Sequence, residues 1–290
     1  MKQLLILSGK GGTGKTTIAS AFIKLNGAKA YADCDVDAPN LHLITKQISE
    51  PKKEDYYGLP KAEINTDLCI ECDQCRQNCR FEAILKDEKY EVDYYACEGC
   101  GVCELVCPEG AVALKPAAAG ELMLYASEGE VFSTAQLKMG SGNSGKLVTE
   151  VKKQMKTASK NAEFAIIDGS PGMGCPVIAS LSGVDMVLVV AEPSISGISD
   201  MVRIINTAAN FGVRIAVCIN KYDTNTENSE KIESFCKEHR LSFLGRIPFD
   251  VDAVEAINNG RTIVDIDCTS GEAVKAVYDR TLKLLFEGGG

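Results

Sequence analysis

The 290-residue chain has no long apolar run. Its longest stretches, such as MVLVVA at 186–191, fall far short of the roughly 18 residues a membrane span needs. LLIL near the N-terminus meets a glycine loop at once, which is too short for a signal-peptide core. A basic excess is missing as well. The net charge is −9, and phosphate contacts with nucleic acid require a basic face. Scattered cysteine is also missing: of 13 cysteines, eight fall between Cys69 and Cys107 at repeating spacing. In a reducing compartment such a pattern predicts metal ligation rather than disulfides. These absences predict a cytoplasmic protein with no stable membrane insertion and no nucleic-acid partner.

What is present is an alternation. Apolar runs at 3–7, 29–33, 163–168, 185–190, 213–219 and 241–247 read as strands. Helical periodicity at 16–25, 146–156, 198–210 and 227–238 separates them. Continuous apolar strands alternating with amphipathic helices predict a mostly parallel α/β sheet with helices on both faces. The apolar stripe of 272–286 predicts a helix docked on that sheet, since it lacks the lysine excess of a lipid-surface helix.

Residues 61–116 break the rhythm with an internal repeat. EINTDLCIECDQCRQNCRFEAI at 63–84 superimposes on EVDYYACEGCGVCELVCPEGAV at 91–112 with a period of 28 residues. This predicts a small α+β domain at 61–116 inserted into a body formed by 1–60 and 117–290. The stretches 51–60 and KPAAAG (115–120) read as its entrance and exit linkers. The insert holds 6 Lys+Arg and 12 Asp+Glu, so −6 of the net −9 is concentrated there. That charge suits either a solvated surface or a docking face for a partner protein.

SGKGGTGKTT (8–17) follows the first strand and opens the first helix. It satisfies two phosphate-binding patterns, the dinucleotide fingerprint Gly9-x-Gly11-x-x-Gly14 and the P-loop Gly9-x4-Gly14-Lys15-Thr16. In both, backbone amides of Gly9, Gly11, Gly12, Thr13 and Gly14 approach anionic oxygens before the N-terminus of the helix TTIASAFIKL (16–25), whose first-turn Thr17 is expected among the nucleotide-binding residues. The tail decides between them. Lys15 reaches β/γ-phosphates and the Thr16 hydroxyl serves Mg²⁺, and a dinucleotide loop needs neither. Asp33, some twenty residues on, is where an NAD enzyme would hold ribose, but the full P-loop outweighs that reading. A nucleoside triphosphate site is expected.

The second lysine in the loop, Lys10, carries finer information. KGGTGKT resembles the deviant Walker A box of the MinD/ParA superfamily, which includes the nitrogenase iron protein and the Mrp-type iron–sulfur carrier ATPases. The resemblance covers the α/β part of the chain. It implies an ATPase that dimerises on ATP, with Lys10 reaching the partner's phosphates much as an arginine finger does; otherwise Lys10 is a solvated loop lysine. It also implies that DCDVDAPN (33–40) is a first switch, with Asp33 near the metal and Asp35 orienting the attacking water. In AIIDGSPG (165–172), Asp168 would hold Mg²⁺ and Gly172 would sense the γ-phosphate. NKYD (220–223) lies where relatives contact the base, implicating Asn220 and Lys221. It also matches the pattern by which GTPases select guanine through Asp223, so GTP is the alternative to ATP. Pro248 and Asp250 would line the base.

The cysteine runs resemble those of two-cluster bacterial ferredoxins, in which three cysteines of one run and the remote fourth of the other ligate each cubane. That implies one [4Fe–4S] on Cys69, Cys72, Cys75 and Cys107 and a second on Cys79, Cys97, Cys100 and Cys103. Zinc is the lesser alternative, because its sites use separated pairs. The second run ends Cys107-Pro108 as the ferredoxin pattern expects, and the first departs from it with Cys79-Arg80.

Three functions follow. In the first, a nucleotide-driven dimer switch is coupled to electron transfer through the two clusters. In the second, the protein assembles or carries iron–sulfur clusters or metallocofactors. In the third, it is a MinD-like positioning ATPase with redox sensing. Cys175 stands seven residues after Asp168, where the nitrogenase iron protein places a ligand of its dimer-bridging cluster. The matching second ligand is absent from MGSGNSGKL (139–147), and so is the carriers' C-terminal CxxC. Cys175 reads either as a small buried residue or as a transient metal or redox thiol. Cys218, on an apolar strand, reads as core. The complete ferredoxin-type module favours electron transfer. A redox or cluster-accepting partner docked on the acidic insert fits the first two functions.

Overall fold

The computed structural model describes residues 1–45, 49–127 and 129–287. In chain order the first elements are β1 (Lys2–Leu7), α1 (Lys15–Asn26), β2 (Ala30–Asp33) and β3 (Lys52–Tyr57). Next come β4 (Lys61–Ile64), α2 (Gln74–Gln77), β5 (Ile84–Lys86), β6 (Tyr90–Val92), α3 (Val102–Leu105) and β7 (Val112–Lys115). They are followed by β8 (Ala118–Ser127), β9 (Glu130–Leu137), α4 (Ser144–Ala158), β10 (Phe164–Asp168), α5 (Cys175–Leu181) and β11 (Met186–Ala191). The last are α6 (Ile195–Ala209), β12 (Arg214–Asn220), α7 (Thr226–Glu238), β13 (Ser242–Ile247), α8 (Val251–Asn258) and α9 (Thr269–Glu287).

A nine-stranded sheet runs β13-β12-β11-β1-β10-β2-β9-β8-β3. It is parallel from β13 to β9, and β8 and β3 add antiparallel to its far edge. Alternation along each central strand feeds two cores. Leu5 and Leu7 of β1 join α4, α5 and α6 on one face, while Leu4 and Ile6 join α1 and α9 on the other. Covering on both faces is why these strands are apolar throughout rather than alternating. The C-terminal helix α9 docks on the sheet as expected, burying Val274, Val277, Tyr278 and Leu285.

Both stretches read as linkers contain strand. KKEDYY (52–57) forms β3, and most of 115–120 belongs to β7 or β8, leaving only residues 58–60 and 116–117 to connect. β3 buries only Tyr56. Its charged, exposed residues are those of an edge strand protected from further pairing, so no apolar pattern marks it. β3 and β8 pair antiparallel, with Tyr57 opposite Ala118. The chain therefore leaves and re-enters the sheet at neighbouring points, the arrangement in which an insertion costs little closure entropy. Gly120 near the start of β8 pairs with Leu137 at the end of β9. The excursion thus emerges from the carboxyl edge of the parallel strands.

Within 61–115 the repeat is structural. Shifted by 28 residues, α2 falls on α3 and β5 on β7. Exchanging the halves turns the pair Ala62↔Leu114 of β4–β7 into Tyr90↔Lys86 of β5–β6. Hydrogen bonds obey the same exchange: Asn65 N donates to Ala111 O and Asp93 N to Ala83 O, each at 2.7 Å. A small core of Ala62, Cys75, Ala83, Ile84, Tyr90, Cys97 and Val112 sits between the halves. The cysteine loops turn through left-handed backbone at matching places. Glu71, Asp73 and Glu82 in the first half correspond to Gly99, Gly101 and Gly110 in the second.

Two stability predictions follow from this packing. Phe22 of α1 is fully buried and meets Tyr278 of α9 edge-on at 5.1 Å, so Phe22→Ala will lower urea-unfolding stability by about 3–5 kcal/mol. A Cβ on Gly99 would lie 2.1 Å from the Pro60 carbonyl oxygen at φ +65°. Gly99→Ala will therefore cost at least about 2 kcal/mol, whereas Glu71→Gly, at the matching position, will gain up to about 1 kcal/mol. Equal responses at the two positions would contradict the asymmetry.

Candidate functional site

β1 lies between β10 and β11 at the centre of the sheet, and its carboxyl end opens directly into the glycine loop. Ligands of parallel α/β sheets bind at this edge, where the strand order reverses. Two loop glycines are sterically required. Gly14 stands at φ +91°, and a Cβ on it would lie 2.1 Å from Asn220 Nδ2; one on Gly9 would overlap Asp200 Cβ at 2.1 Å. Above the loop is a cleft of about 750 Å³, walled by residues 10–17 together with Asp35, Asn220, Lys221, Pro248 and Asp250. Gly9 packs behind it against α6.

Charge is concentrated beneath this cleft. Lys15 Nζ lies 2.5 Å from Asp168 Oδ1, and Thr16 Oγ1 donates to Asp168 Oδ2 at 2.7 Å. Asp168 at the end of β10 is the register partner of Asp33 at the end of β2, so two fully buried carboxylates stand on adjacent strands. Asp33 accepts backbone amides from Asp35 at 2.9 Å and from Asn40 and Leu41 at 3.0 Å each. Burial, then repulsion from Asp168, pushes the Asp33 carboxyl up to about 7 against the pull of Lys15. Burial likewise raises the Asp35 carboxyl, helped by Asp168 and opposed by Lys15. For Lys15, burial works against the ammonium, but Asp168 and Asp33 outweigh it and hold the group above its ordinary value. Two carboxylates facing one ammonium favour a further cation at this spot.

The remaining expected residues hold the surround together. Asn220 Nδ2 donates to Thr13 O at 2.7 Å and Lys221 Nζ to Gly12 O at 2.8 Å, bracing the loop from β12. Gly172 N donates to Ser8 O at 3.2 Å, and Cys34 N donates to Asp168 O at 2.7 Å. Ser170 Oγ also donates to Cys34 O. The segments after β2 and β10 are thus tied to each other and to the loop. Asp223 accepts from Phe249 N at 2.8 Å, and Asp250 caps α8 while accepting from Ser270 N at 3.1 Å. The amides of Ser270 and Asp252, that of Ser270 first, hold the Asp250 carboxyl below its usual range.

Lys10 is not a free loop lysine in the single chain. Its Nζ sits 3.3 Å from Glu192 Oε2 and donates to Ser194 Oγ at 3.1 Å and Ser196 Oγ at 3.4 Å. Sequence reasoning missed these three anchors. Their signal was position: EPSIS directly follows the carboxyl end of β11, the edge where site residues gather.

The eight clustered cysteines sort into two small cavities. One is lined by Cys69, Cys72, Cys75 and Cys107, the other by Cys79, Cys97, Cys100 and Cys103. Each takes three thiols from one run and the fourth from the other. Cys72 and Cys100 are exposed, while Cys75 and Cys97 are buried. Ala111 N donates to Cys107 Sγ at 3.2 Å. A donor set of four sulfurs suits soft metal centres. Among the described residues no group of three or more His, Cys, Asp or Glu is arranged to grip a single metal ion. Cys218 is core, as expected, whereas Cys175 at the start of α5 is exposed and not buried. No helix among the described residues is long and apolar enough to cross a membrane.

Against known proteins, the chain is 33% identical over 288 residues to an uncharacterized protein of Methanocaldococcus jannaschii, covering 96% of this chain and 95% of the relative. It is 24% identical over 307 residues to an iron–sulfur cluster carrier protein of Pyrococcus horikoshii, covering 98% and 85%. Its fold matches that of the septum site-determining protein MinD from Pyrococcus horikoshii, solved with Mg-ADP. The TM-score is 0.59 at 18% identity, over 99% of this chain and 98% of that one. Residues 4–263 match the CobQ/CobB/MinD/ParA nucleotide binding domain, and the chain belongs to that family.

Proposed function

We propose that this chain is an ATP-hydrolysing iron–sulfur protein in which a nucleotide-driven dimer switch governs electron transfer through two [4Fe–4S] clusters. The observation that carries this reading is the sorting of eight cysteines into two cavities, three thiols from one run joined by the remote fourth of the other. That is the ligand exchange of two-cluster ferredoxins. On this reading residues 61–116 are an inserted ferredoxin-like domain, and 1–60 with 117–290 form the nucleotide-binding body.

Lys15 takes the β/γ-phosphates, and Thr16 with Asp168 holds Mg²⁺, Asp33 standing behind them. Cation binding would relieve the two crowded carboxylates. Asp35, on the cleft wall, orients the attacking water, and Gly172 reports the γ-phosphate through the segment after β10. Asn220, Lys221, Pro248 and Asp250 frame the base. ATP is favoured over GTP, because Asp223 already spends one carboxylate oxygen on Phe249 N. Lys10 is the deviant lysine of the loop. Glu192, Ser194 and Ser196 park it in the single chain, and pairing with a second copy frees it to reach that copy's phosphates. When bound, the clusters supply one-electron relay between a low-potential donor protein and an acceptor protein. The acidic insert offers the docking face for such a partner.

A cluster-carrier role is the second reading. It is favoured by the full-length likeness to the Pyrococcus horikoshii iron–sulfur cluster carrier and by the exposure of Cys72 and Cys100.

Protein purified without oxygen will carry about eight irons per chain. EPR-monitored redox titration with and without Mg-ATP, alongside iron transfer to an apo-ferredoxin, separates the two readings. Retained clusters whose potentials move with nucleotide support gated electron transfer; clusters that leave faster with ATP make the protein a carrier. Lys10→Ala will reduce ATP turnover about a thousandfold while leaving ATP binding to the single chain intact. Unchanged turnover would remove Lys10 from the reaction.

A further inference from the structure

The two cysteine cavities have matching ligands but different neighbours. The first is enclosed by residues of the insert alone, among them Ile64, Tyr90 and Pro108. The second includes Glu98 and Gly99, and both touch the body. Glu98 shares a narrow seam with Ser141, Gly142 and Asn143, and Gly99 lies against Pro60. A Cβ on Gly140 would sit 3.0 Å from the Tyr95 ring. Lys61 Nζ donates to Cys97 O at 2.5 Å, and Tyr56 Oη donates to Asn143 O at 3.5 Å.

The other end of that 138–143 loop is α4, which is fastened to both ends of α5. At their N-termini a Cβ on Gly145 would lie 3.0 Å from Cys175 Cβ and from its carbonyl oxygen. At the far end Lys152 Nζ donates to Ser180 O at 2.5 Å and Ser182 O at 2.6 Å. The helix α5 in turn follows directly on the 168–174 segment, which is tied to the glycine loop through Gly172 N and Ser8 O. Packed elements of this kind move as units, so a displacement at one end is delivered to the other.

We infer that the nucleotide state of the glycine loop is transmitted through α5, α4 and the 138–143 loop to the second cavity, and not to the first. This rests on the reading of the cleft as a nucleotide site, and it gives the second cluster the nucleotide-sensitive role within the proposed function. The Tyr95–Gly140 and Glu98–Gly142 contacts are the last link, and Tyr95 and Glu98 act as positioning residues.

Hydrogen exchange on the whole chain, purified without oxygen, tests this with Mg-ADP and with a non-hydrolysable Mg-ATP analogue. Exchange of the amides at 95–103 will differ between the two nucleotides within the usual coupling range of about 5–150-fold, while those at 67–75 stay unchanged. The Tyr95→Ala variant, at a residue outside both cavities, will keep nucleotide affinity and iron content yet lose the difference at 95–103. An equal response at both cavities, no response at the second, or a response that survives in the Tyr95→Ala variant overturns the inference. The iron count is read separately: a chain without iron sinks the cluster reading whatever the exchange shows. Loss of nucleotide affinity for the unmodified chain sinks the nucleotide reading instead.

Discussion

Two carboxylates and one ammonium at the carboxyl edge of the sheet constrain everything around them. Asp33 and Asp168 are fully buried on adjacent strands, and among the described residues Lys15 is the one cation bonded to either. An uncompensated buried carboxylate is expensive, so the arrangement is tolerable only while each oxygen has a donor. Three backbone amides serve Asp33, and Lys15 with Thr16 serves Asp168. Those donors come from the segment after β2 and from the first turn of α1. The charge pair therefore dictates where both begin. Lys15, Thr16 and Asp35 line the cleft directly above this pair, where a divalent cation with a polyphosphate would meet the negative charge.

Much of this was legible in the sequence because the chemistry is local. A glycine loop between an apolar strand and a helix has few other uses, and six of the seven parallel strands are apolar because both their faces are covered. The repeat was legible for a different reason: eight cysteines at a fixed period leave little freedom of alignment. What stayed hidden has physical causes too. β3 is KKEDYY, an exposed edge strand whose only buried side chain is Tyr56, so no periodicity advertises it. The KPAAAG segment has the composition of a linker, yet Lys115 ends β7 and Ala118–Gly120 begin β8, because the fold brings them β4, β3 and β9 as partners. The anchors of Lys10 lie more than 180 residues away. Asp223 and Asp250 have familiar motif positions, yet a sequence does not report which amides have already claimed their oxygens.

Topology also explains why the cysteine cavities and the cleft share one face of the molecule. A loop inserted between antiparallel β3 and β8 emerges from one or the other edge of the sheet, depending on which end of the pair it joins. Here it joins the end shared with the carboxyl terminus of β9. The insert is therefore placed on the side where the glycine loop and the segments after β2 and β10 converge. Had the same 55 or so residues entered at the Ser127–Glu130 connection, cysteines and cleft would lie at opposite edges.

The duplicated halves show what that placement demands of a sequence. Each cysteine loop needs left-handed backbone at three points, and the geometry itself accepts either glycine or a strained side chain there. The first half uses Glu71, Asp73 and Glu82, with Asp73 compensated by hydrogen bonds from Arg76, Gln77 and Tyr90. The second half uses glycine throughout. At Gly99 the reason is contact: the Pro60 carbonyl occupies the space a Cβ would need. Only the half pressed against the body is so restricted, whereas the outward half has room for acidic side chains that add to the charge of its surface. One loop geometry thus carries two surfaces, one shaped to fit the body and the other left polar, although the two cysteine sets match.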